Sequence, residues 1–184
     1  MIQPTVFHRK LPRNDWEGDD LTPGAGGKYV TCLDTAAGRM VAYATNGRID
    51  KDGKVYRATV YPRDINGITL DQASIAIYKV AKLNLFQPEN WTRRNVKTHL
   101  RYARGLIVLG NYSEIPRIYR YQKNANFYHA MWISHRSEKT GNMRVWDPLN
   151  PDITQYGRWI PEEYIWRFIE SLNYQVAYVP LNPL

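Results

Sequence analysis

The chain has 184 residues, of which 43% are hydrophobic, and its 25 Lys and Arg against 17 Asp and Glu leave a net charge of +8. That length fits one domain with a buried core, and no stretch approaches the roughly 18 consecutive apolar residues of a membrane span. A single cysteine, Cys32, excludes an internal disulfide framework and a Cys-rich zinc site, and four histidines without HExxH spacing give no reason to assign a metal or a cofactor.

Residues 1–30 read as an irregular arm: Pro4, Pro12 and Pro23 interrupt any helix, and Gly24, Gly26 and Gly27 cluster in TPGAGG. The opening MIQPTVFHRKLPRNDWEGDD has no apolar run of signal-peptide length, so the expectation is a soluble protein made in the cytoplasm. The domain proper is expected over 31–184. Its first helix covers about 32–45, where Leu33, Ala36, Ala37, Met40, Val41 and Ala44 form one apolar stripe. Thr31 can cap its start and Asn46-Gly47 can stop it.

Residues 50–61 read as a hairpin turning at Asp52-Gly53. A second helix starts at the capping box Thr69-Leu-Asp-Gln72 and runs to about Lys82. A third covers about 92–104 and stops at Gly105. Strand-like runs follow at 106–109, 127–134 and 143–147. A last helix fits 161–172, with Pro161 in its first turn and Ile165, Phe168, Ile169 and Leu172 on its buried side, and YQVAYV at 174–179 closes as a strand. Helices precede strands without βαβ alternation, which predicts an α+β fold with a mainly antiparallel sheet.

The charge is uneven. Residues 91–123 carry a net +7, almost the whole excess. At 100° per residue, Arg93, Arg94, Lys97, Arg101 and Arg104 share one arc of the third helix, beside Val96, Leu100 and Ala103. This is either a solvated face over a buried stripe or a site for an anionic partner, such as nucleic acid, an acidic protein face or a cell-wall polymer. The 14 tyrosines and six tryptophans fit base stacking, packing or a protein interface equally well.

Cys32 stands at the start of the first helix, where free backbone N–H groups and the helix dipole favour a thiolate nucleophile. Such a nucleophile needs a base within reach and a third group to orient the base. His129 lies in the 127–134 strand and Asp147 ends the next one, so antiparallel neighbours can set imidazole and carboxylate side by side.

CLDTAAGRMVAYATNG, then Gly105-Leu-Ile-Val-Leu, His129-Ala-Met-Trp-Ile and Val145-Trp-Asp147-Pro148, resembles the ordered blocks of papain-like cysteine peptidases related to the bacteriocin-processing, double-glycine-leader branch. The resemblance spans residues 32–172. It implies a papain-like fold in which Cys32 attacks an acyl carbon, His129 takes and returns the proton, and Asp147 orients His129. The partner would be a peptide or protein substrate, or a cell-wall amide crosslink.

Two positions depart from the family pattern. The glutamine expected about six residues before the cysteine is absent from Gly-Gly-Lys-Tyr-Val-Thr, leaving Lys28 or Thr31 as substitute oxyanion donors, and Leu33-Asp34 replaces Gly-Pro. Loss of one oxyanion donor costs about 100- to 1000-fold in rate. These departures motivate an alternative: a structural or interaction protein that keeps the fold without the chemistry, seated among neighbouring subunits. Because such domains also occur in bacteriophage gene sets, a virion tail component is one setting for it.

Overall fold

A computed structural model describes residues 32–45, 68–149 and 157–180. The arm at 1–30, the hairpin at 50–61, Thr31, Lys28 and Asn46-Gly47 lie outside the described residues.

Helix α1 spans Cys32–Ala44, and all six residues of its apolar stripe are buried. Helix α2 spans Leu70–Ala81 and starts as expected: Gln72 N–H donates to Thr69 Oγ1 at 3.2 Å while Thr69 N–H donates to Gln72 Oε1 at 2.8 Å. Lys82 closes it in a left-handed conformation at φ 56°.

Helix α3 covers Arg93–Tyr102, and here the expectation needs correction. The helix ends at Tyr102 instead of running to 104, and strand β1 takes Ala103–Asn111. Pairing with the last strand begins at Ala103, with a register irregularity before Leu106, so sheet hydrogen bonds replace the last helical turn. Gly105 then belongs to the strand. Its φ of +100°, and the 2.3 Å that would separate an added Cβ from Trp132 Nε1, show why glycine stands there.

Two short 3-10 turns, Tyr112–Glu114 and Arg117–Tyr119, lead to β2 at Tyr128–Arg136 and β3 at Met143–Trp146. A short strand β4 at Arg158–Ile160, which the sequence reading missed, precedes α4 at Glu162–Glu170. Pro161 is the residue before that helix and not in its first turn, and Leu172 lies beyond its end, half-buried. Asn173 and Tyr174, at φ 49° and 59°, turn the chain out of the helix, so β5 starts at Val176 and runs to Pro180 instead of starting at Tyr174.

The five strands form one antiparallel sheet in the order β4-β3-β2-β1-β5. Alternation along the strands divides its side chains between two cores. Ile107, Ala130, Trp132 and Ala177 pack with α1 and α2, whereas Leu106, Val108, Met131 and Ile133 pack with α3 and α4. Phe86 exchanges backbone hydrogen bonds with Tyr178 at 2.8 and 3.0 Å on the outer edge of β5. No helix among the described residues is long and apolar enough to cross a membrane.

Candidate active site

Cys32 is the first residue of α1, a half-buried free thiol packed against the core between α1 and the sheet. α1 lies on β2 and β1. His129 is the second residue of β2, 2% exposed, with Gly110 of β1 as its ladder partner. Asp147 follows the last residue of β3, the strand beside β2.

His129 Nε2 and Asp147 Oδ1 are 2.8 Å apart, with both side chains almost wholly buried. An ionised carboxylate only accepts hydrogen bonds, so the Nε2 proton belongs to this contact and the free lone pair of a neutral ring belongs to Nδ1. Burial alone would depress the imidazole's pKa. The Asp147 charge and hydrogen bond, with a smaller contribution from Cys32, outweigh burial and push it up to about 10. Cys32 is therefore close enough to act on the ring, while Nδ1 has no aligned hydrogen-bond partner.

Asp147 has further partners. The Leu149 N–H donates to Oδ1 at 2.9 Å, closing the Asp-Pro turn, and the Tyr112 hydroxyl donates to Oδ2. The Tyr112 ring stands edge-on to His129, with centroids 4.8 Å apart. Sequence reasoning missed Tyr112. Its only signal is position, one residue past the strand that pairs with the histidine strand.

Asp34, two residues after Cys32, is 1% exposed and accepts from the Thr35 N–H at 3.1 Å. The basic helix is partly satisfied from within. Arg93 grips Glu170 of α4 through Nε at 2.6 Å and an Nη at 2.9 Å, and Lys97 Nζ lies 3.3 Å from Glu162. Arg94 is exposed. The side chains of Arg101 and Arg104 lie outside the description. Among the described residues there is no group of three or more His, Cys, Asp or Glu placed to hold a metal ion.

No family model matches the chain, and no curated protein matches its sequence. A crystal structure described as a "putative C39-like peptidase from Bacillus anthracis" is similar in fold, with a TM-score of 0.58 and 12% identity, over 81% of this chain and 88% of that one. With α1 packed on an antiparallel five-stranded sheet, the chain has an α+β, papain-like fold.

Proposed function

We propose that the chain is a cysteine hydrolase that cleaves a peptide or cell-wall amide bond, with Cys32 as nucleophile, His129 as general base and acid, and Asp147 as the orienting carboxylate. The observation that carries this reading is one buried imidazole that answers to both partners: it meets Asp147 at 2.8 Å and interacts with the thiol at the tip of α1. The fold shared with the C39-like structure supports it.

In this reading the Cys32 proton has already passed to Nδ1 of His129, whose raised pKa favours the imidazolium, when the sulfur attacks the carbonyl carbon. The tetrahedral intermediate collapses to a thioester, and the leaving amine takes the proton from Nδ1. Water then gives its proton to the same nitrogen and attacks the thioester, and the carboxylic acid leaves as the proton returns to sulfur. The N–H groups at the start of α1 face developing negative charge.

The test is the alkylation rate of Cys32 by iodoacetamide at about pH 6. It should exceed that of a free thiol and fall in His129→Ala. A free-thiol rate, unchanged in that variant, overturns the reading.

A second reading, a papain-like scaffold without chemistry within a larger assembly such as a phage virion, draws on Asp34, buried two residues after Cys32. It also draws on Ile118 and Tyr128, 76% and 69% exposed. Finding the chain only as a free monomer, absent from any native assembly, counts against it. An anionic partner at the basic helix would rest on Arg94, Arg101 and Arg104, since Arg93 and Lys97 meet carboxylates. Its signature is binding to DNA that weakens steeply with salt.

A further inference from the structure

We infer that Tyr112 is a positioning residue for the His129–Asp147 pair, holding the carboxylate in the orientation that keeps the imidazole proton on Nε2 and Nδ1 free for Cys32. The inference rests on the hydrolase reading above and extends it to a residue 35 positions from Asp147.

Three observations converge on it. First, the two carboxylate oxygens have separate partners. Oδ1 takes the His129 Nε2 proton and the Leu149 N–H at 2.8 and 2.9 Å, while Oδ2 takes the Tyr112 hydroxyl. A carboxylate held at both oxygens cannot rotate about its Cβ–Cγ bond without breaking one set of contacts. Second, the direction of the phenolic proton is set from outside. The Tyr121 N–H donates to the Tyr112 oxygen at 3.0 Å, leaving the hydroxyl hydrogen to Asp147.

Third, Tyr112 is itself fixed. It is fully buried, its N–H donates to the Phe127 carbonyl at 2.9 Å, and its ring stacks on Phe127 with centroids 5.9 Å apart. The same ring stands edge-on to His129, so it also forms part of the wall around the imidazole–carboxylate contact. Removing water from such a contact strengthens it.

Tyr112→Phe keeps the ring and deletes only the hydroxyl. In the full chain, the rate of Cys32 alkylation by iodoacetamide is followed from about pH 5 to about pH 11 in wild type, Tyr112→Phe and His129→Ala. One hydrogen bond to a charged acceptor is worth about 10- to 100-fold. The expectation is a loss of about tenfold in the His129-dependent rate, with its alkaline limb displaced to lower pH. A role in stability alone lowers the melting temperature and leaves that profile in place. A Tyr112→Phe profile superimposable on wild type overturns the inference.

If His129→Ala also matches wild type, the hydrolase reading itself fails, a different result from a slow His129→Ala beside an unaltered Tyr112→Phe. Should Tyr112→Phe not fold, proton NMR of the wild-type chain decides. A slowly exchanging Tyr112 hydroxyl proton with the His129 Nε2 proton nearby supports the inference, and its absence overturns it.

Discussion

Asp147 reaches His129 across two adjacent antiparallel strands, with Oδ1 2.8 Å from Nε2 although the residues stand 18 positions apart in the chain. Among the described residues the carboxylate is the charged group set against Nε2, and it sets which ring nitrogen can face the thiol. Asp147→Ala removes that control and leaves a buried imidazole without its acceptor. Cys32 alkylation near neutral pH should fall by about tenfold or more, since general-base assistance of this kind contributes about 100- to 10,000-fold to a full reaction. Rates measured on folded wild-type and variant protein check this, and an unaltered rate would remove Asp147 from the proposed site.

The same pair makes stability depend on pH. His129 binds its proton more tightly folded, with a pKa pushed up to about 10, than in an unfolded chain, where about 6.5 is ordinary. A raised pKa means that the folded state holds the extra proton. The stabilisation is therefore complete below about pH 6.5 and is lost as pH rises through about 10. Thermal melts from about pH 6 to about pH 10 should show wild type losing more stability than His129→Gln, which lacks the titrating ring. Parallel curves for the two proteins would mean that the pair does not stabilise the fold.

Much of this architecture was legible in the residues because local rules and tertiary packing agree. The α1 stripe from Leu33 to Ala44 and the Thr69–Gln72 box both specify helix, and both are helical. Where the two pull apart, local rules lose. Ala103 and Arg104 continue the α3 pattern, yet ladder pairing with β5 draws them into β1. Ile160 and its two neighbours form β4 only because β3 offers an edge, a partner that no three-residue window reveals. Order and spacing pointed to His129 and Asp147, whereas Tyr112 carries no motif. It matters because the chain leaving β1 turns beside Phe127 and back onto Asp147, a property of topology.

Gly110 shows a close approach beside the site. An added Cβ there would stand 2.0 Å from the Phe168 carbonyl oxygen and 2.6 Å from its carbon, both backbone atoms of α4. Backbone in a packed helix cannot yield as a flexible side chain would, so Gly110→Ala must push α4 from the sheet. The expected destabilisation is about 3 kcal/mol or more, at the upper end of overpacking effects. Because Gly110 is the ladder partner of His129, the variant should also slow Cys32 alkylation in whatever fraction stays folded. Chemical denaturation measures the first effect, and a wild-type midpoint would contradict the packing described.

Glu162 ties three elements together from the first turn of α4. Arg136 of β2 donates to it twice, from Nε at 2.7 Å and from an Nη at 3.1 Å, and Lys97 of α3 approaches to 3.3 Å. The Arg136 hydrogen bonds, with a smaller share from Lys97, hold its carboxyl below the usual range against the opposing effect of burial. A depressed pKa gives stability that is present above the unfolded value of about 4.3 and lost as pH falls. The pair is bidentate and only partly exposed, so Glu162→Gln should cost about 1 kcal/mol, or about 2–4 °C in melting temperature at neutral pH. In acid strong enough to protonate the carboxylate in the folded as well as the unfolded chain, the two proteins should melt together. A gap that persists undiminished in acid would assign the effect of Glu162 to packing and not to its charge.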